Sequence, residues 1–173
     1  MFRFKIPVFA RVIFLVGGFL LVLLLFMLWR GGRLSTSSKL REVNPVCDAT
    51  LWNHVYHPSR LEVKDPCIRV TGVIQKIRVE KDGDYHVELR LDPAYRHLLN
   101  DANSKNQRGN LVVEPICQRK VTQENAKEAC RGFNKFMKIP PVGTRVTVEG
   151  SYVLDTHHGW MEIHPATRIV PIP

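Results

Sequence analysis

The sequence predicts a mainly β protein: an N-terminal transmembrane helix, then a small domain of five strands with one helix between strands three and four. Three observations support this fold class. An uninterrupted apolar run lies near the N-terminus, hydrophobic residues alternate with a period of two beyond residue 67, and turn-forming residues divide the rest of the chain into strand-length segments. Together they predict one membrane segment and one compact domain.

The apolar run extends from Val12 to Trp29, eighteen residues without a charged or polar side chain. As a helix it would be ~27 Å long, close to the thickness of the bilayer interior. A buried core helix is rarely so long in a small domain. A cleavable signal peptide has a shorter apolar region, followed by small residues, whereas Arg30 follows this run directly. We therefore expect residues 1–33 to be an uncleaved, single-pass membrane anchor, with its helix at about residues 12–29.

Basic residues flank the apolar run on both sides in similar numbers, so the positive-inside rule leaves the orientation of the anchor open. The cysteines therefore give the indication of the compartment. Cys47, Cys67, Cys117 and Cys130 all follow the anchor, and none forms a C-x-x-C pair, which argues against a zinc ribbon or a thioredoxin-like site. Cys47–Cys67 and Cys117–Cys130 are the shortest loops among three possible disulfide pairings. We expect these two disulfides and an extracytoplasmic domain. The alternative is four reduced, buried thiols in a cytosolic domain.

More than half of the net charge of +9 comes from the anchor segment. Residues 1–33 contain five Lys or Arg and no acid, so the remainder carries a net charge of +4. Basic residues do cluster around the predicted helix, which is typical of a solvated helix face and less often of a nucleic-acid surface. The cluster consists of Arg119, Lys120, Lys127, Arg131, Lys135 and Lys138.

Residues 34–46 are polar and aperiodic, which predicts a tether. Residues 47–66 are expected to form a helical segment, capped by Asp48 and ended by Pro58. In strand one the alternating pattern changes phase after Ile74, which predicts a β-bulge. Lys81–Asp84 is a hairpin turn, and strand two directs Tyr85, Val87, Leu89 and Leu91 to one face.

The second half of the domain contains the predicted helix. A helical turn over residues 94–99 and a polar loop to residue 110 precede a third strand, residues 111–117, in which Pro115 implies a bulge or an edge. Thr122 can cap a helix whose apolar residues recur at a spacing of three to four: Ala126, Ala129, Cys130, Phe133 and Met137. Pro140 and Pro141 end it, and two further strands follow, one over residues 146–154 and one from Trp160.

The order strand, strand, strand, helix, strand, strand, with a long bent first strand, resembles the OB-fold, a small Greek-key barrel. The resemblance covers residues 67–173 and includes the approach to strand four, residues 142–148. Two segments, Asp-Gly-Asp-Tyr-His at 82–86 and Gly-Trp-Met-Glu-Ile-His-Pro at 159–165, are similar to those of a group of uncharacterised membrane-anchored prokaryotic proteins. That likeness implies no activity.

The OB-fold resemblance implies where a ligand would bind, because ligands of OB-folds lie across strands two and three between the first and last hairpin loops. Here those loops are residues 81–84 and 155–159. Carboxylates, imidazoles and an indole meet on this face, and such groups can stack on a base or sugar or bind a metal. The candidate ligand-binding residues are Asp82, Asp84, His86, Glu88, His157, His158 and Trp160.

Two functions that involve a ligand remain open, beside a passive assembly role without a small ligand, because the G-x-S-x-G, Walker, G-x-G-x-x-G and H-E-x-x-H motifs are all missing from the sequence. The first is a membrane-anchored binding module, without a cofactor, for a partner protein, a glycan or a single-stranded nucleic acid. The second is a metal-dependent hydrolase or nuclease, with Glu88 or Glu162 as the base. Its metal ligands would come from His86, His157, His158 and His164.

Overall fold

The computed structural model describes residues 44–173. The predicted anchor helix at residues 12–29, and the tether up to residue 43, lie outside the described residues. Within residues 44–173 no helix is long and apolar enough to cross a membrane.

The described chain is mainly β, with five strands and several short helical turns. The strands are β1 (Leu61–Val79), β2 (Tyr85–Leu91), β3 (Leu111–Val113), β4 (Arg145–Asp155) and β5 (Met161–Pro171). The one α-helix, α1, spans Asp101–Asn106. The 3-10 turns are Ala49–His54, Pro58–Arg60, Pro93–Leu98 and Glu124–Ala126.

The five strands form one sheet that closes on itself in the order β1-β2-β3-β5-β4. β1 pairs antiparallel with both β2 and β4, which its length of nineteen residues and its bend make possible. β3 and β5 are parallel, and the other neighbours are antiparallel. The predicted bulge is confirmed, because the register of β1 against β2 shifts between Ile74 and Lys76.

The start of β1 differs from the expectation that residues 47–66 are helical. Asp48 does cap a helical turn, since its carboxylate accepts a hydrogen bond from the backbone N–H of Thr50. Residues 61–66, however, belong to β1, where Leu61 lies opposite Asp155 on β4. The extended end of β4 offers backbone partners to these residues, and this tertiary pairing outweighs their local preference.

The interior of the barrel is apolar, and a second apolar cluster packs outside it. The inward face of β2, formed by Val87, Leu89 and Leu91, contributes to the interior core as predicted. The second cluster joins the first 3-10 turn to the chain after β3 and includes Leu51, Val55, Ile116 and Val153.

Both predicted disulfides are confirmed. Cys47 and Cys67 have a Cα–Cα distance of 5.6 Å, and Cys117 and Cys130 a distance of 5.4 Å, and both pairs are bonded. The first bridge ties the start of the described chain to β1. The second closes the segment that follows β3.

The predicted helix between strands three and four is wrong, because only the three-residue turn Glu124–Ala126 forms there. Backbone N–H groups of this segment instead bond to the turn between β1 and β2. Thr122 and Gln123 donate to the carbonyl of Lys81, at 2.8 and 2.9 Å, and Arg119 donates to that of Gly83 at 2.9 Å. These bonds, together with the Cys117–Cys130 bridge, replace the local hydrogen bonds that a helix would need.

The segment between β2 and β3, residues 92–110, covers part of the outer face of the barrel. Asn103 attaches it to the barrel, because its side-chain amide donates to the carbonyls of Asn110 and Met161 and its side-chain oxygen accepts from the N–H of Met161. This cover decides which polar side chains of β2 reach solvent.

Candidate functional site

A cleft of about 360 Å³ lies between the turn that joins β1 to β2 and the loop that joins β4 to β5. Three basic and three acidic residues share its surface, so the cleft is polar without a strong excess of either charge. Its lining residues are Arg60, Arg78, Glu80, Lys81, Asp82, His86, Glu114, Gln123, His158 and Trp160.

A row of polar side chains crosses four neighbouring strands beside this cleft. Arg78 on β1 lies in register with His86 on β2. Nδ1 of His86 is 3.2 Å from Oε1 of Glu114, the residue directly after β3. Oε2 of Glu114 is 3.0 Å from Nδ1 of His164 on β5. Because side chains alternate between the faces of a strand, this row lies outside the barrel while its chain neighbours Val87, Val113 and Ile163 lie in the core.

The segment that covers β2 buries His86 within this row. His86 is only 4% exposed, and its Nε2 lies 3.2 Å from Oε1 of Gln107 in the cover. Burial lowers the pKa of His86, but the hydrogen bond and the negative charge of Glu114 outweigh that effect, so the pKa rises above its ordinary value. His86 is therefore a buried group held between two acceptors rather than a freely exposed ligand.

Glu114, Glu162 and His164 form a buried charged group. Nδ1 of His164 is 3.0 Å from Oε1 of Glu162 and equally far from Oε2 of Glu114. Burial lowers the pKa of His164, but the two carboxylates outweigh it and hold the pKa well above its ordinary value. Burial raises the pKa of Glu114, but His164 and His86 outweigh it and the net shift is downward. The pKa of Glu162 is raised by burial and by the charge of Glu114. Glu162 is thus the carboxyl of this group that most readily keeps a proton.

Asp84 lies buried at the start of β2 and is 3% exposed. Its Oδ1 accepts a hydrogen bond of 2.6 Å from the backbone N–H of Cys117. Burial and the neighbouring charge of Asp82 raise the pKa of Asp84 to about 8. Burial likewise raises the pKa of Asp82. Two carboxyl groups in this turn therefore resist ionisation.

The other wall of the cleft presents a stacked pair of rings. The imidazole of His158 and the indole of Trp160 are parallel to within 3°, with their ring centroids 4.3 Å apart. Nε1 of Trp160 donates a hydrogen bond of 2.9 Å to Oε2 of Glu162, which connects the indole to the buried charged group. A pair of this kind offers a flat surface to a base or a sugar ring.

Asp155, which precedes the pair, organises the loop. Its carboxylate accepts hydrogen bonds from the backbone N–H groups of His157 and His158 and lies 2.8 Å from Nδ1 of His158. Nε of Arg60 is 3.4 Å from the same carboxylate. Asp155 is therefore a buried loop anchor.

The predicted ligand-binding residues separate into two groups. Asp82, His86, His158 and Trp160 line the cleft. The other three do not, and they are Asp84, Glu88 and His157. Asp84 is buried next to the cleft, and His157 is exposed, with its ring in edge contact with that of His158.

Glu88 has a different environment from the cleft residues. Its carboxylate accepts hydrogen bonds from Nη2 of Arg108 at 2.6 Å and from Nδ2 of Asn110 at 3.2 Å, and Nη1 of Arg78 lies 3.6 Å away. Burial raises the pKa of Glu88, but Arg108 outweighs that effect and the net shift is downward. Glu88 is thus an ion-paired structural carboxylate.

Among the described residues, one group of side chains without disulfide-bonded cysteines could hold a metal. One oxygen of Asp84, one oxygen of Glu114 and one nitrogen of His164 all lie within 4.8 Å of one another. Asp84 also lies near Cys117 and Cys130, but those two sulfur atoms are bonded to each other. Of the four histidines expected as metal ligands, His86, His157, His158 and His164, only His164 belongs to such a group.

Sequence reasoning missed Glu114 and the two arginines of the cleft wall. Glu114 did carry a signal, because it is the one acid in the apolar run from Leu111 to Cys117. A buried carboxylate in such a run needs partners. Arg60 and Arg78 carried no such signal, because only the closure of the barrel brings them to one cleft.

The arrangement can bind a ring against His158 and Trp160 and an anionic group beside Arg60 and Arg78, and its buried acids can hold a cation. No protein-family model, no curated protein and no solved structure matches this chain.

Proposed function

We propose that this protein is a membrane-anchored, OB-fold-like module that binds a ligand in the cleft between residues 80–84 and residues 156–160. The strand order supports an OB-like barrel, because β1 pairs with both β2 and β4 while β3 runs parallel to β5. OB-folds use the first and last hairpin loops around strands two and three as their binding surface.

The observation that carries the proposal is the composition of the cleft. Asp82 from the first loop, His86 from β2, and His158 and Trp160 from the last loop all line one space of about 360 Å³. Residues far apart in sequence thus form one concave polar surface with an aromatic wall. Small-molecule sites in proteins are likewise concave, and they occur at the mouths of β-barrels.

Three ligand classes agree with such a surface: a partner protein, a glycan and a single-stranded nucleic acid. The guanidinium groups of Arg60 and Arg78, which also pair with Asp155 and with Glu80 and Glu88, line the same cleft as the stacked aromatic pair and favour the nucleic acid. Phosphate groups pair with arginine, and bases stack on flat side chains. A glycan would use the ring surface but would have less need of the two cations.

The first test is a fluorescence-anisotropy titration of the full-length chain, kept in nonionic detergent, with a labelled single-stranded DNA of mixed sequence. We expect binding at low salt that weakens steeply as salt is added, because phosphate contacts release counterions. His158→Ala should weaken binding ~5-fold or more, since it removes half of the stacked pair.

His157→Ala is the matched control, because His157 is the chain neighbour of His158 but does not line the cleft. Equal effects of the two substitutions would contradict a role for the stacked pair. A wild-type chain that does not bind the oligonucleotide at low salt would exclude the nucleic-acid version, and the same titration with oligosaccharides would then test the glycan version.

The anchor and the compartment are part of the same proposal. We infer an uncleaved single-pass anchor at residues 12–29 and an extracytoplasmic domain, and the two disulfides support an oxidising environment. The chain should stay in the membrane fraction after alkaline extraction, and external protease should reach its domain in intact cells. Protection of the domain until the membrane is permeabilised would place it on the cytoplasmic side.

A metal-dependent hydrolase is the second candidate, favoured by the proximity of Asp84, Glu114 and His164. Of the two bases expected from sequence, Glu162 has the raised pKa, whereas Glu88 is neutralised by Arg108. An end-labelled oligonucleotide incubated with the protein and Zn²⁺ or Mn²⁺ should then be cut, and Glu162→Gln should abolish cutting while Glu88→Gln should not. A module that only binds would leave the oligonucleotide intact under every condition.

A further inference from the structure

We propose that Asp84, Glu114 and His164 bind one divalent transition-metal ion of the Zn²⁺ class beside the cleft. The proposal goes beyond ligand binding in the cleft, and it requires neither nucleic-acid binding nor hydrolysis. The ligands come from three separate elements: Asp84 precedes β2, Glu114 follows β3, and His164 lies on β5.

Geometry is the first argument. One oxygen from each carboxylate and one imidazole nitrogen lie within 4.8 Å of one another, and all three residues are buried. A local rearrangement that brings each donor to about 2 Å from one common point would let the three side chains surround an ion. One nitrogen and two oxygen ligands form a donor set that Zn²⁺ and similar borderline metals accept.

The hydrogen bonding of His164 is the second and independent argument. Its Nδ1 lies 3.0 Å from both Glu114 and Glu162, whereas its Nε2 is buried and has no hydrogen-bond partner in the described part of the chain. A metal-binding histidine usually donates one ring N–H to a carboxylate, which orients the ring, and binds the metal through the other nitrogen once that nitrogen has lost its proton. Nδ1 of His164 can donate to Glu162, whose second oxygen is held by Trp160, so Nε2 is the nitrogen assigned to the metal.

The charges around Asp84 are the third argument. Within residues 44–173, the carboxylates of Asp82 and Asp84 form no ion pair with an arginine or a lysine. Glu88, on the adjoining strand β2, has Arg108 at 2.6 Å. A bound cation would supply to Asp84 the compensation that Arg108 supplies to Glu88. Buried carboxylates are stable when they are paired or coordinate a metal.

Access to the ion comes from the cleft. Glu114 is part of the cleft lining, as are its neighbours Asp82 and His86. With three ligands from the protein, a four-coordinate ion keeps one position for water or for a ligand in the cleft.

The test measures metal binding by the untagged full-length chain in detergent after treatment with a chelator. Zn²⁺ is titrated in competition with a chromophoric indicator. We expect one tight equivalent for the wild-type chain, and binding at least 10-fold weaker for Asp84→Asn and for His164→Gln. Glu88→Gln is the matched control, because it removes a buried acid of the adjoining strand β2 that already has a cationic partner, and it should bind Zn²⁺ as the wild type does.

A wild-type chain without a bound equivalent would overturn the proposal, and so would variants of Asp84 and His164 that bind as tightly as the control. X-ray absorption at the zinc edge of the wild-type complex requires no folded variant. It should show nitrogen and oxygen neighbours at ~2.0–2.2 Å, and a shell of sulfur neighbours would overturn the site. Failure of the oligonucleotide titration, repeated in the presence of a chelator, would refute only the proposed cleft ligand, because that measurement contains no metal.

Discussion

Two buried carboxylates on β2 and its preceding turn have opposite electrostatic environments. Glu88 has Arg108 and Asn110 as direct partners, and its pKa lies below the ordinary value. Asp84 has the backbone N–H of Cys117, and its pKa is raised to about 8 by burial and by Asp82. The two residues are four positions apart, and both are nearly inaccessible to solvent, at 2% and 3% exposure. Asp84 lies deeper among the surrounding atoms, so the opposite pKa shifts reflect both its stronger desolvation and the cation beside Glu88.

The comparison separates a structural position from a candidate site. Glu88 attaches the covering segment, which carries Arg108 and Asn110, to the outer face of the barrel. Asp84 sits beside the cleft without an ion-pair partner among the described residues, and its raised pKa keeps it protonated at neutral pH. A buried carboxyl without an ion-pair partner lowers the stability of the fold. Groups with strongly shifted pKa values are concentrated at functional sites, where they bind a ligand, a proton or a metal.

The largest expected effect is on the pH dependence of stability in chelator. Folded Asp84 keeps its proton up to a pH of about 8, whereas its ordinary pKa is 3.8. Between these values the folded chain binds more protons than the unfolded chain, so the free energy of unfolding falls as the pH rises. At ~1.4 kcal/mol per pKa unit, the loss amounts to several kcal/mol.

Asp84→Asn should flatten this pH dependence, because the amide cannot ionise and its oxygen can still accept the Cys117 N–H. Denaturant unfolding at several pH values measures the effect. Asp82, Glu114 and His164 face the same group and titrate in both chains, so the difference between the two chains reports the ionisation of Asp84 together with its coupling to these three groups. A pH profile in Asp84→Asn that equals that of the wild type would show that Asp84 does not cause the pH dependence of stability.

The next effect concerns the two disulfides, which differ in their distance from Asp84. Replacing both cysteines of either bridge by serine should destabilise the fold by ~3 kcal/mol, from the closure entropy of loops with sequence separations of 20 and 13. Only the loss of Cys117–Cys130 should also change the pH profile, because Cys117 bonds to Asp84. The variant without Cys47–Cys67 should keep the wild-type profile, and equal changes in both variants would contradict this assignment.

A smaller effect is expected for Glu88→Gln. The substitution removes the charge that Arg108 and Asn110 bind, which should destabilise the fold by ~1–2 kcal/mol at neutral pH. Because the pKa of Glu88 is lowered on folding, its stabilisation is present above the ordinary pKa of 4.5 and is lost as the pH falls through the folded value. The variant should therefore approach the wild type in stability at acidic pH, as urea unfolding at pH 3 and pH 7 would show.

The smallest effect is expected for Arg108→Ala. The side chain of Arg108 is 64% exposed, so its ion pair with Glu88 is screened by water and contributes ~0.5–1 kcal/mol. Thermal unfolding at low and high salt measures this contribution, which should shrink as salt is added. A loss of several kcal/mol in the free energy of unfolding would contradict this estimate, because it would show that the buried charge of Glu88 requires the ion pair with Arg108.

Local patterns in the sequence predicted most of the barrel. The alternation along residues 85–91 placed Val87 and Leu89 in the core, and the phase change near Ile74 located the bulge of β1. These predictions succeeded because a strand with one buried face repeats with a period of two. The helix predicted after Thr122 failed, because its backbone amides bond to Lys81, a residue that is distant in sequence.

What the sequence alone determined is therefore local: the strand-forming segments, the hairpin turn at residues 81–84, and the two short cysteine loops. Only the tertiary structure decided that Glu114 and His164 approach Asp84, and that residues 92–110 bury His86 and Glu88. The physical reason is that the environment of a charged side chain depends on atoms from distant segments. Closure of the sheet brings β3 beside β5, and the periodicity of the sequence does not predict which side chains of the two strands come into contact.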